Sequence, residues 1–175
     1  MSFFKLGLPN TLIAALAEQG YKTAYPIQTA AIPAILQKKN ILGIAKTGSG
    51  KTASFVLPIL SMLQGNSVAK SRNPLALVLV PTRELAEQVG DVFKLFSRAL
   101  LDPIKTKIVY GGVSINPQMK GMYGVHVLVA TPGRLLDLIE SNAVNLHAVK
   151  TLVLDEADKM LNLGFKDEMN RIFRL

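Results

Sequence analysis

Ala45-Lys46-Thr47-Gly48-Ser49-Gly50-Lys51-Thr52 is the stretch whose reading decides the fold of this chain. Ile41-Leu42-Gly43-Ile44, just before it, is apolar and predicts a short buried strand. Ala53-Ser54-Phe55-Val56-Leu57, just after it, predicts the start of a helix. Strand, glycine-rich turn, Lys-Thr and helix together form the context of a phosphate-binding P-loop. Glycines allow backbone N–H groups to turn inward and approach an anion closely. A helix N-terminus adds unpaired donors and partial positive charge at the same point. Lys51 is placed to reach the β- and γ-phosphates of a nucleoside triphosphate, and the Thr52 hydroxyl to sit on Mg²⁺. The first position is Ala45 where the strict pattern has glycine, a variant small enough for the turn.

The totals agree with a globular domain. A chain of 175 residues suits one domain and can bury roughly 70% of its unfolded surface. Hydrophobic content of 49% with 18% charge excludes a disordered chain. No apolar run approaches the ~20 residues that span a bilayer, and Met1–Lys5 lacks a secretory leader, so a cytoplasmic location without membrane contact is expected. There is no cysteine, which removes disulfides, thiolate zinc sites and cysteine nucleophiles. His126 and His147 lack a ligand-like spacing, which argues against a zinc site. The net charge of +8, from 20 Lys+Arg against 12 Asp+Glu, suits a polyanionic partner such as nucleic acid, although a merely basic surface has the same sum.

Taken in order, Leu12, Ile13, Leu16 and Ala17 recur at helical spacing, with Gly20 as the stop. Gly20–Gln28 reads as a loop because Pro26 biases its predecessor away from helix. Helical spacing resumes over Thr29–Leu36, and Gln64–Asn73 reads as a polar surface loop. Leu75–Val80 is a continuous apolar run, the mark of a strand buried on both faces. Pro81–Leu85 opens a helix carrying Val89, Val92, Phe93 and Phe96. Further strands are expected at Lys107–Tyr110, Val125–Ala130 and Thr151–Leu154, and two helical pieces around Gly164. Five strands alternating with helices predict an α/β fold, a doubly wound, mainly parallel sheet with helices on both faces. Ligands bind beyond the carboxyl ends of such strands, and the polar clusters of this chain stand at those ends.

The fifth strand delivers Asp155-Glu156-Ala157-Asp158. A strand that ends in paired carboxylates, downstream of a P-loop, has the form of a Mg²⁺-binding motif. Asp155 is the candidate metal carboxylate, acting through water because Mg²⁺ dehydrates reluctantly. Glu156 is the candidate to orient the attacking water. The alternative is an acidic helix start that favours the first-turn dipole.

These segments, in this order, resemble the DEAD-box family of ATP-dependent RNA helicases. Ala45–Thr52 is similar to the family's motif I, Pro81–Leu85 to motif Ia, and Gly111-Gly112 to its double-glycine motif. Thr131–Arg134 is similar to motif Ib, Asp155–Asp158 to motif II, and Gly20–Gln28 with Phe3 or Phe4 upstream to the Q motif. The opening Phe3–Leu8 is most similar to the bacterial RhlE-type branch. The resemblance implies an amino-terminal RecA-like P-loop NTPase domain, with a Q-motif region over 1–29 and the ATP-binding domain over 30–175. Lys51, Asp155 and Glu156 would be catalytic, with ATP and Mg²⁺ as cofactors and Thr52 and Asp155 at the metal. Ala45, Lys46, Thr47, Gly48, Ser49, Gly50, Lys51 and Thr52 would hold phosphate, with Tyr21 in the same nucleotide set. Gln28 would read adenine, since a carboxamide offers the donor and acceptor that adenine N7 and N6 complement. Phe3 or Phe4 would stack on the ring, or else staple the first helix. Ala24 and Tyr25 depart from the usual Pro and Thr or Ser of the Q motif.

By the same resemblance Arg83, Gly112, Thr131, Gly133 and Arg134 would grip the RNA backbone without sequence preference. Family members carry a Ser-Ala-Thr motif on a further strand and a second RecA-like domain with arginine fingers. The 175 residues are therefore expected to be part of a longer, monomeric protein, nearly inactive without that second domain. Two rivals stand beside this reading: a non-catalytic nucleotide- or RNA-binding scaffold, and another P-loop enzyme such as a small-molecule kinase. Lys51, Thr52, Asp155 and Glu156 together speak against the first, and Gln28, Arg83 and Arg134 against the second.

Overall fold

Four of the five expected strands form, and all four lie in one parallel sheet of order β2-β3-β1-β4. The structure is a computed structural model and describes residues 2–46, 48–65 and 72–175. Thr47 and most of the loop expected over Gln64–Asn73 lie outside the described residues. The chain gathers into two compact units, Met1–Asn66 with Val92–Ile104, and Ser67–Asp91 with Lys105–Leu175.

The second unit holds the sheet: β1 (Ala76–Leu79), β2 (Thr106–Val109), β3 (Val127–Ala130) and β4 (Thr151–Leu154). β1 and β3 are buried at every position, as their unbroken apolar runs predict. They pair in parallel, Ala76 opposite Val127 through to Leu79 opposite Ala130. β4 is an edge strand, and Leu152 and Leu154 on it are exposed although its sequence is as apolar as that of the buried strands. Leu77, Met122, Leu128, Leu135, Leu138 and Met160 anchor the core of this unit. Helix α5 (Asn116–Met119) is a single turn, followed by α6 (Pro132–Glu140), α7 (Ala157–Asn162) and α8 (Lys166–Ile172). Gly164, at φ +89°, separates the last two, as the sequence predicts.

The first unit is helical: α1 (Asn10–Glu18), α2 (Pro26–Leu36), α3 (Lys51–Leu63) and the last turns of α4 (Arg83–Ser97). Gly20 stops α1 with φ +78°, and Tyr21 N–H reaches back to Leu16 O at 2.9 Å. α2 begins earlier than expected. Pro26 takes the first helical position, where its missing N–H costs nothing, so Gln28 belongs to a helix turn and not to a loop. Ala53 to Leu60 of α3 are buried one after another.

The strand expected at Ile41–Ile44 is absent. No strand among the described residues pairs with it, and Leu42 and Ile44 are each 87% exposed. A strand needs a lateral partner for its N–H and C=O groups, and apolar composition alone does not provide one. No helix among the described residues is long and apolar enough to cross a membrane.

Candidate functional site

In the first unit the turn expected before the Lys-Thr pair is present. Gly48 and Gly50 take φ +79° and +81°, and Gly50 caps α3 from the left-handed region. Gly50 has a second reason to be glycine: a Cβ there would lie 2.3 Å from Gln28 Nε2. Lys51 stands at the first position of α3 and donates its Nζ to the carbonyl of Ala45 across the loop. Ser49 Oγ is buried and finds no hydrogen-bond partner among the described residues, a donor left for a ligand. Lys46 is exposed, Ala45 and Thr52 half-buried.

The aromatic pair near the N-terminus divides its work. Phe3 is buried and meets Tyr21 edge-on, with ring centroids 6.5 Å apart; Tyr21 in turn meets Phe96 at 5.9 Å. Phe3 is therefore a core member with the half-buried Tyr21 packed against it, and Phe4, 73% exposed, is the ring free to stack. Gln28 is fully buried. Its Oε1 accepts from Tyr25 N–H at 2.9 Å and its Nε2 donates to Gly50 O at 3.2 Å. In this geometry the carboxamide ties the first turn of α2 to the phosphate loop.

In the second unit β4 delivers the acidic turn. Asp155 N–H bonds to Leu79 O at 3.0 Å, which extends the ladder by one residue beyond β4. Glu156 follows in the left-handed region at φ 52°, ψ 47°, and caps α7. Only a few per cent of non-glycine residues sit there, and such strain gathers at functional positions. Its carboxylate pairs with Lys159 at 3.4 Å on a half-exposed surface. Thr52 in the first unit and Asp155 in the second each carry a hard oxygen donor, the ligand type that Mg²⁺ takes.

At the carboxyl ends of β1, β2 and β3 the second unit has an open depression of about 420 Å³. All five residues expected to face RNA line it: Arg83, Gly112, Thr131, Gly133 and Arg134. Their positions follow from helix-start chemistry. Thr82 Oγ1 accepts Leu85 N–H at 3.2 Å at the start of α4, and Pro132 opens α6. Gly112, at φ +79°, is exposed with open space around it. Arg83 is exposed and rests on the Tyr110 ring, 4.7 Å from its centroid. Arg134 differs. It is buried, donates Nε to Asp137 at 3.2 Å and Nη2 to Val113 O at 2.7 Å, and so braces the loop after β2.

Sequence reasoning missed Tyr110 and Asp137 as members of this depression. Tyr110 was legible only as the last residue of a strand run, and its hydroxyl bonds to Glu87 on α4. That bond, followed by partial burial and the Glu87 charge, pushes the Tyr110 hydroxyl above the ordinary tyrosine range, with Arg83 opposing.

A parallel α/β sheet, a glycine-capped Lys-Thr helix and a strand-end carboxylate define a P-loop nucleotide-binding domain. The family model for "DEAD/DEAH box helicase" matches residues 25–175. The chain belongs to that family. It is 43% identical over 99% of its length to DEAD-box ATP-dependent RNA helicase 41 of Arabidopsis thaliana, of which it covers 35%. It is likewise 43% identical over 98% of its length to the DEAD-box ATP-dependent RNA helicase CshA of Streptococcus pneumoniae, covering 32%. Among solved structures, the RNA helicase Prp28 from Chaetomium thermophilum bound to ADP superposes with a TM-score of 0.88 at 38% identity. That match spans 98% of this chain and 42% of the other. A DEAD box protein from the hyperthermophile Methanococcus jannaschii gives 0.89 at 38% identity, over 99% of this chain and 46% of that one. The chain spans about a third of the length of the curated relatives it matches.

Proposed function

We propose that this chain is the nucleotide-binding, RNA-contacting part of an ATP-dependent RNA helicase. The observation that carries the proposal is the depression that unites Arg83, Gly112, Thr131, Gly133 and Arg134 at the strand ends of one unit. Residues scattered over 52 positions of sequence come together where an α/β sheet binds ligands. The exposed Arg83 guanidinium and the open Gly112 and Gly133 backbone suit phosphate oxygens, contacts that carry no sequence information. Binding is therefore to the backbone and indifferent to sequence.

The phosphate loop takes the nucleotide. Gly48 and Gly50 turn N–H groups inward, Lys51 answers the β- and γ-phosphates, and Ser49 Oγ gains its missing partner. Thr52 and Asp155 would hold Mg²⁺, which supplies neutralisation of phosphate charge when bound. Glu156 orients and polarises the attacking water. Phe4 covers the base, and Gln28 reads it by exchanging the Gly50 carbonyl for adenine. A second RecA-like domain of the same polypeptide supplies the arginine finger, a contribution of about 10³–10⁵ in rate. Without it the chain hydrolyses ATP slowly and separates no duplex.

The test is a titration with a fluorescent ADP analogue and Mg²⁺, displaced by unlabelled ADP and then by GDP. Displacement by ADP alone supports an adenine-reading pocket. Equal displacement by GDP removes Gln28 from the base and leaves a general phosphate cradle; absence of binding overturns the proposal.

A further inference from the structure

The Gly111-Gly112 turn is held at both ends by side chains, and one of them lies outside every motif named above. Gln118, on the single turn α5, accepts Tyr110 N–H at its Oε1 at 3.0 Å. The same carboxamide donates Nε2 to Tyr110 O at 3.1 Å. Both backbone groups of one residue are thus paired with one side chain, as a neighbouring strand would pair them. At the other end Arg134 Nη2 donates to Val113 O at 2.7 Å. Between these clamps Gly111 and Gly112 are exposed, with open space where a Cβ would stand. Tyr110, once fixed, carries Arg83 on its ring at 4.7 Å.

We infer that Gln118 is a positioning residue for RNA binding: by fixing the Tyr110 backbone it aims the Gly111-Gly112 N–H groups and the Tyr110 platform beneath Arg83. The inference rests on the proposal that RNA occupies this depression. Its physical basis is preorganisation. A two-glycine turn has more backbone freedom to lose than any other dipeptide, and a turn already ordered does not meet that cost on binding. Gln118 itself is half-buried and is not among the residues that line the depression, so it acts through Tyr110 rather than on the ligand.

The test uses the 175-residue chain with a short single-stranded RNA, read by fluorescence anisotropy. Gln118→Met keeps the length of the side chain and removes both hydrogen bonds without adding charge. RNA affinity should fall about five- to tenfold, the scale of two lost hydrogen bonds, while affinity for the ADP analogue stays unchanged. Amide hydrogen exchange at Tyr110, Gly111 and Gly112 should accelerate. Gln118→Glu can still accept the Tyr110 N–H and cannot donate to its carbonyl, so protection of that one amide should return. Arg83→Ala is the control for the face. If Arg83→Ala weakens RNA binding and Gln118→Met does not, the positioning role is overturned and the RNA face stands. If RNA binding is missing, or indifferent to both substitutions, the face itself is wrong and the inference goes with it.

Discussion

Gln28 Nε2 donates to the carbonyl of Gly50 at 3.2 Å, so the residue expected to read a base is, in this structure, a strut of the phosphate loop. Its Oε1 is engaged as well, by Tyr25 N–H at 2.9 Å, and the side chain is fully buried. Gln28→Ala should therefore act on stability and on ligand binding together. It leaves the Tyr25 N–H without its partner and the Gly50 carbonyl with the Ser54 N–H alone, a loss of about 1–3 kcal/mol. Thermal denaturation and ADP-analogue titration of the variant separate the two effects. Weaker nucleotide binding with an unchanged melting temperature would mean that Gln28 is not a strut.

Gly90 on α4 packs directly against Ile108 of β2. An added Cβ would lie 2.2 Å from Ile108 Cδ1 and 2.4 Å from Cγ1. Alanine gains about 1 kcal/mol over glycine in a helix interior, whereas overpacking a core contact costs about 1–3 kcal/mol. Because Cγ1 sits close to the β2 backbone it cannot swing away, and the clash prevails. Gly90→Ala should destabilise the protein, and the double variant Gly90→Ala with Ile108→Ala should cost less than the sum of the two. Denaturant midpoints of the four proteins measure that coupling; strict additivity would sink the argument.

The sheet was legible where burial is complete on both faces. β1 and β3 are unbroken apolar runs because no side of them meets water. Ile41–Ile44 carries the same signature and forms no strand, since periodicity reports burial preference and not the presence of a hydrogen-bonding neighbour. Arg83, Gly112, Thr131, Gly133 and Arg134, which line one depression, were legible through short motifs whose chemistry is local: helix starts, glycine turns and arginine. Gln118 was not. Its contact with Tyr110 spans eight residues and joins a carboxamide to backbone groups, which every residue type carries. Gln28 was half legible: the sequence marks the residue, and only the fold shows that Gly50 occupies its amide.

Tyr110 gives the second unit an alkaline signature. Its bond to Glu87 raises its pKa above the ordinary value of 10.0, so the folded protein keeps a proton that the unfolded chain releases earlier. A group of this kind contributes stability in full below the unfolded pKa and loses it as pH rises through the folded one. Wild-type melting temperature should therefore fall between pH 10 and the raised value more steeply than that of Tyr110→Phe. The ring remains in the variant, so Arg83 keeps its platform and RNA affinity at neutral pH should hardly change. Parallel melting curves for both proteins up to pH 11 would show that the Glu87 bond carries no weight.

Glu156 holds a left-handed backbone at φ 52° immediately after the strand-end Asp155. The left-handed region costs a side chain with a Cβ roughly 1–2 kcal/mol, and glycine escapes that cost. Against it stands one half-exposed ion pair with Lys159, worth about 0.3–0.5 kcal/mol as a helix-type pair. Glycine also gives back part of the gain through its greater freedom in the unfolded chain, about 0.4–1 kcal/mol. The terms leave Glu156→Gly neutral to slightly stabilising, by up to about 1 kcal/mol. An ordinary surface glutamate on a helix would lose stability on the same change, since glycine is the poorer helix residue. Urea midpoints of wild type, Glu156→Gly and Glu156→Ala therefore distinguish a strained position from an ordinary one. The strained backbone predicts glycine above alanine, because alanine removes the ion pair and keeps the strain. The reverse order would mean that the left-handed turn stores nothing and that Glu156 sits there without cost.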